Sequence, residues 1–169
     1  GGNTGDAHRA GQAVGGQLDL MDWSWGCPTM DVPKEPAYRG IFVERSLPGC
    51  MVVNDKGQRF LSESGPYPEF QQAMLAESAK GNGGAPAWIV FDASFRAQNP
   101  IGPLMPGSAV PDSKVRKSWL NNVYWKGETL DDLAAQIGVD AAGLKDSARR
   151  MTEYAKTGKD LDFDRGGNV

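Results

Sequence analysis

Four side chains able to take part in proton chemistry fall within six residues: Ser62, Glu63, Ser64 and Tyr67. Gly65 and Pro66 interrupt the same stretch and force it to bend. A carboxylate and a phenol at this spacing can exchange protons with a bound molecule, and the two hydroxyls can orient it. Read without further context, the residues also describe a solvated loop charge at Glu63, capping hydroxyls for a following helix, and an ordinary surface aromatic at Tyr67. What precedes them is orderly. The apolar run Cys50 to Val53, the turn Asn54-Asp55-Lys56-Gly57 and the segment Gln58 to Leu61 predict a β-hairpin that delivers the bend on a rigid support.

The flanking chain supplies the remaining elements. After Tyr67, the spacing of Phe70, Met74, Leu75 and Ala79 predicts a helix that stops at Lys80-Gly81 and places Tyr67 at its N-terminus. Ala87 to Phe91 is a continuous apolar run of strand length, expected at the centre of a sheet, and Asp92 is placed to cap a short helix through Phe95. Four prolines and two glycines between Asn99 and Pro111 impose a long loop, and Asn122 to Lys126 reads as a short strand. Thr129 caps a helix over Leu130 to Ile137 that Gly138 stops; Asp140 caps another, carrying Leu144, Ala148, Met151, Tyr154 and Ala155 on one face until Gly158. Near the start, Asp6 is the expected cap of a small-residue helix. Trp23 and Trp25 sit in an aromatic-rich loop that is expected to pack in the core or, with Phe42, to line an apolar pocket, and Arg45 is read as an arginine that ties loops by paired hydrogen bonds. Hairpin signals and amphipathic helices without βαβ alternation predict an α+β fold, a small, largely antiparallel sheet covered by helices.

Composition narrows the function. The 169 residues include 40% apolar side chains, enough for a core, and the formal charge of −3 gives no electrostatic footprint for nucleic acid or an anionic membrane. No apolar run has the length of a membrane span, and no secretory leader is recognised. Cys27 and Cys50 lack metal-ligand spacing, and their surroundings suit a thiol-compatible cytoplasmic protein better than a disulfide scaffold. His8 is the sole histidine, so neither a histidine triad nor a multi-histidine metal site can be built from this chain. Asp160, Asp162 and Asp164 alternate like calcium ligands, but the glycine and distal glutamate of an EF-hand loop are missing. No Gly-x-Gly-x-x-Gly follows an apolar strand, so the fingerprint that cradles a dinucleotide pyrophosphate is absent.

Val53, Asn54, Gly57, Arg59, Phe60 and Glu63 together resemble the signature of flavoproteins of the fumarate reductase and succinate dehydrogenase type. Glu44-Arg45-Ser46-Leu47-Pro48-Gly49 before it and Glu63-Ser64-Gly65-Pro66-Tyr67 within and after it look most like the FAD-dependent 3-ketosteroid Δ1-dehydrogenase branch. Matching pieces also occur at Thr4-Gly5-Asp6, Gly11 to Gly15, Leu18 to Asp22 and Pro86 to Asp92, so the similarity spans most of the chain.

The resemblance implies a substrate-side, capping domain cut from a longer flavoenzyme. Residues 17 to 158 would form that domain, 1 to 16 the junction to an FAD-binding domain, and 159 to 169 the return crossing. FAD would be bound mainly by chain not present here. The implied reaction dehydrogenates a CH–CH bond next to a ketone in a small apolar substrate, a steroid in the branch most resembled. Tyr67 takes the place of the base, with Glu63 and Arg59 in support. Phe42, Ser64, Pro66 and Phe70 are the implied substrate contacts, and Thr4 and Asp6 the implied cofactor contacts, although Ala7 stands where the family usually has glycine. Two other functions stay open: fumarate reduction, acting on a dicarboxylate, and a non-catalytic binding or interaction module.

Overall fold

Strand β3 (Cys50–Val53) is buried along its whole length, as a continuous apolar run requires. Two short strands, β1 (Thr29–Met30) and β2 (Arg39–Gly40), precede it as a separate antiparallel ribbon. Its partner is β4 (Trp88–Phe91), antiparallel, with Cys50 opposite Phe91 and Val53 opposite Trp88. The computed structural model from which these elements are taken describes residues 2–167. Residue 1 of the expected junction and residues 168 and 169 of the expected return crossing lie outside the described residues.

Period-two alternation sends the strand's side chains to two faces and into three apolar clusters. Met51 and Val53 pack with Val90, Ala134, Val139 and Leu144, while Cys50 joins Ile41, Phe95, Ile101 and Tyr124, and Val52 joins Leu61 and Phe70. The first of these layers is closed by α4 (Leu130–Ile137) and α5 (Ala141–Thr157). Both helices start and stop where their caps predict. Thr129 Oγ1 accepts from Asp132 N at 3.1 Å and Asp140 Oδ1 from Gly143 N at 2.7 Å, while Gly138 and Gly158 end them in the left-handed conformation. Asp92 likewise caps α3 (Ala93–Gln98), accepting from Phe95 N at 2.8 Å.

The hairpin forms in reduced form. Its turn is present: Gly57 has φ +67°, and Asn54 Oδ1 accepts from the amides of Lys56 and Gln58, both at 3.0 Å. The expected second strand shrinks to one bridge, Val53 to Arg59, because a side chain occupies that edge of β3. Val52 N donates to Glu63 Oε1 at 3.0 Å, so a carboxylate replaces the strand carbonyl. Among the described residues β4 has one neighbour and is not the centre of a sheet. Asn122 to Lys126 is likewise not a strand; it contributes a bridge from Tyr124 to Leu120 within a run of turns. The coarse expectation of helices with a small antiparallel sheet holds.

The N-terminal segment differs more. Helix α1 (Asp6–Ala13) begins at Asp6 rather than after it, follows Gly5 in the left-handed conformation, and buries no residue. Trp23 and Trp25 are exposed, Trp25 at 85%, because residues 14–27 belong to no strand or packed helix that could cover them. No described helix is long and apolar enough to cross a membrane.

Candidate active site

Beneath the bend lies a buried charge network. Glu63 is fully buried; its two oxygens accept from Arg59 Nε at 2.8 Å and Arg59 Nη2 at 2.7 Å, beside the Val52 amide bond. Arg59 also bonds both oxygens of Asp160; Arg165 Nη1 lies 3.3 Å from Glu63 Oε2 and donates to Cys50 O at 2.6 Å, while its Nη2 donates to Leu47 O at 2.6 Å. Burial alone pushes the Arg59 guanidinium down and the Asp160 carboxyl up, but their mutual bonds and charges, with Glu63 also acting on Arg59, reverse both shifts. Both groups are therefore held ionised. Glu63 and Arg59 thus bond each other, the Val52 amide and Asp160 beneath the bend.

The network fixes the backbone from which Tyr67 projects. Tyr67 opens α2 (Tyr67–Ala79) directly after Pro66, and Pro68 in the first turn suits a helix entrance, where an N–H would have no partner in the helix. Arg45, 3% exposed, binds the bend from the other side: Nη1 donates to Glu63 O, and Nη2 donates to Gly65 O at 2.9 Å. Its guanidinium carbon stands 5.4 Å from the Tyr67 ring centroid and 4.5 Å from that of Phe70. The loop-tying function read for Arg45 is thus observed.

A cavity of about 600 Å³ opens beside the phenol, lined by Trp25, Phe42, Val43, Ser64, Pro66 and Tyr67 among others. Phe42 meets Tyr67 edge to face at 5.7 Å. The structure therefore brings Phe42, Ser64, Pro66 and Tyr67 together around one opening. Phe70 is apart from it, 3% exposed and packed with Val52 and Leu61 behind the Arg45 guanidinium, because helical spacing turns it three residues on from Tyr67 toward the core. Thr4 and Asp6 are exposed on the α1 turn, with the Asp6 carboxylate bound to Thr4 Oγ1 and Arg9.

Trp25 lines the cavity rather than packing in the core, which is the second of the two places the sequence allowed it, and Leu18, Leu20, Met21 and Trp23 nearby are exposed as well. Asp160 and Arg165 belong to the expected return crossing, with no site role expected of either. Charges of opposite sign five residues apart at the end of a helix are the only signal they give. A larger cavity, about 790 Å³, runs beside β4 past Trp88, Tyr124 and Trp125. Its most buried ionic group, Arg96, spends its donors on Asp112 and the carbonyls of Met105 and Val110, so the Tyr67 cavity is the better candidate for chemistry. Cys50 is also set aside: burial pushes its thiol up to about 11, which suppresses the thiolate.

The chain matches a family model described as an FAD binding domain over residues 1–168, and it belongs to that family. It is 55% identical to a 3-oxosteroid 1-dehydrogenase of Comamonas testosteroni, over 98% of this chain and 28% of that protein. It is 36% identical to a 3-oxosteroid 1-dehydrogenase of Mycobacterium tuberculosis strain H37Rv, over 97% of this chain and 29% of that protein. The crystal structure of a 3-ketosteroid delta1-dehydrogenase from Sterolibacterium denitrificans, in complex with 1,4-androstadiene-3,17-dione, superposes with a TM-score of 0.86 at 53% identity, covering 99% of this chain and 29% of that one. The chain thus spans less than a third of the length of these relatives.

The cofactor of the family is FAD, and the described residues fit only part of it. A pyrophosphate at the α1 turn would meet the Asp6 carboxylate, and no Gly-x-Gly-x-x-Gly fingerprint stands in the sequence. The aromatic and apolar side chains around Tyr67 suit a flat apolar ring.

Proposed function

We propose that this chain is the substrate-side portion of an FAD-dependent dehydrogenase that desaturates the CH–CH bond next to the carbonyl of an apolar ring ketone of the 3-ketosteroid class. One observation carries the reading: the Tyr67 phenol stands at the edge of an apolar cavity, on a bend that buried ion pairs and Arg45 hold in place. Tyr67, as phenolate, takes the proton from the carbon α to the ketone at its phenolic oxygen. FAD, held mainly by other parts of the protein, supplies the acceptor for the hydride that leaves the neighbouring carbon, and a carbon–carbon double bond results. Phe42, Ser64 and Pro66 bound the space in which the substrate lies, and Glu63 and Arg59 keep the bend rigid. Residues 17 to 158 serve as the capping domain, with 1 to 16 and 159 to 169 as its two connections. The anchoring of Asp160 and Arg165 beneath the bend supports a return of the chain at this point.

A dicarboxylate substrate is disfavoured. Of the residues lining the cavity, Arg45 alone is cationic, and its two terminal nitrogens are spent on the carbonyls of Glu63 and Gly65. Cys27 and Cys50 are free thiols, which supports a reducing, cytoplasmic location. The substrate class is tested with the full-length protein by comparing a 3-ketosteroid plus an artificial electron acceptor against fumarate plus a reduced dye. Turnover of the ketosteroid is expected. Turnover of fumarate alone would support the dicarboxylate reading, and turnover of neither a binding module.

A further inference from the structure

Arg45 has more donors than its loop-tying duty uses. Its Nε is the one buried side-chain nitrogen or oxygen without a hydrogen-bond partner among the described residues. It also makes no ion pair there, in contrast to Arg59, which faces Glu63 and Asp160. A guanidinium 3% exposed, held by two neutral carbonyls and two aromatic faces, is a buried cation without a counter-ion, an expensive arrangement. Burial pushes its pKa down, and among the charges that draw it back up the first is Tyr67, ahead of Cys27, Cys50 and Glu44.

Resting on the assignment of Tyr67 as the base, we propose that Arg45 is a positioning residue whose counter-ion is the Tyr67 phenolate: it holds the ring from one side and stabilises its ionised form. The guanidinium carbon stands 5.4 Å from the ring centroid, so a positive charge lies against the ring whose ionised form it would favour. The other ionisable groups around this pair do not compete. Glu63 is committed to Arg59 and Arg165, Glu44 accepts from the Phe42 amide, the Cys50 thiol is held protonated, and Glu69 on α2 is exposed; Cys27 is half-buried. A pure loop tie would account for the two carbonyl bonds but for neither the idle Nε nor the missing anion.

The test is the pH profile of kcat/KM in the full-length flavoenzyme. In Arg45→Gln the midpoint of the limb on which the base ionises should rise by about 1 unit or more, with the rate recovering at high pH, and in Arg45→Lys it should stay near wild type. An Arg45→Gln profile lowered equally at every pH, or an Arg45→Lys midpoint displaced as far as that of Arg45→Gln, would overturn the proposal. Should the variants not fold, ζ-¹³C-tyrosine labelling of the wild-type enzyme reads the same quantity, with the Tyr67 resonance assigned by its loss in Tyr67→Phe. Ionisation of that resonance below the ordinary phenol value of about 10 is expected, and ionisation at or above it would overturn the proposal. The two readings fail separately: loss of turnover in Tyr67→Phe with an unmoved Arg45→Gln midpoint removes Arg45 alone, whereas full turnover in Tyr67→Phe removes the base.

Discussion

Arg165 reaches Glu63 across the length of the domain, with Nη1 3.3 Å from Oε2 and the same guanidinium bonded to the carbonyls of Cys50 and Leu47. The last described turn of the chain therefore grips both the strand that begins the hairpin motif and the carboxylate that ends it. Glu63→Ala would remove the buried carboxylate that Arg59 and Arg165 share and leave the Val52 amide without its acceptor. We expect a loss of about 3–5 kcal/mol, read as a fall in the urea midpoint of the full-length protein. A change under 1 kcal/mol would mean that Glu63 is not the hub of the network.

Asp160 gives that network a pH signature. Burial raises its carboxyl, but the bonds and charge of Arg59 prevail and hold it below the ordinary value of 3.8. The folded state therefore binds this proton less readily than the unfolded state. The stabilisation is fully present above the unfolded value and is lost as pH falls through the folded one. The melting temperature of Asp160→Asn should lie below wild type at neutral pH, and the gap should close only below about pH 4. A gap that closes between pH 5 and 7 would point to a different group.

Legibility in the sequence followed the range of the interaction. Helices α4 and α5 were readable because Thr129, Gly138, Asp140 and Gly158 act on amides and carbonyls within a few residues. The pairing of Cys50 with Phe91 was not, since an apolar run names no partner, and the Gln58 to Leu61 segment looked locally like the better strand. The candidate site divided in the same way. Arg59, Glu63 and Tyr67 stand close together in one motif, whereas Asp160, Arg165 and Trp25 reach it only through the fold.

Gly57 joins the turn to α5. A Cβ there would stand 2.3 Å from Leu144 N and 2.5 Å from Asp140 O, at a φ of +67° that disfavours any L side chain. Ser147 Oγ also donates to Gly57 O at 2.7 Å, so the turn cannot move away without losing a buried bond. Gly57→Ala should lower stability by about 2 kcal/mol or more, measured by thermal melting. An unchanged melting temperature would show that the contact yields at little cost.

The chain by itself should bind flavin poorly. The α1 turn offers a carboxylate where a pyrophosphate needs donors, and the sequence holds no Gly-x-Gly-x-x-Gly fingerprint. Residues 1–169, expressed alone, are expected to purify colourless. Flavin recovered at near one per chain would contradict the division of roles proposed here.

The central claim is that the Tyr67 oxygen is the base. Tyr67→Phe in the full-length enzyme removes that oxygen and leaves the ring between Phe42 and Arg45, so folding and flavin content should be retained. Turnover of a 3-ketosteroid with an artificial electron acceptor is predicted to fall by about 10²-fold or more. A variant that keeps near wild-type turnover with full flavin content would contradict the account.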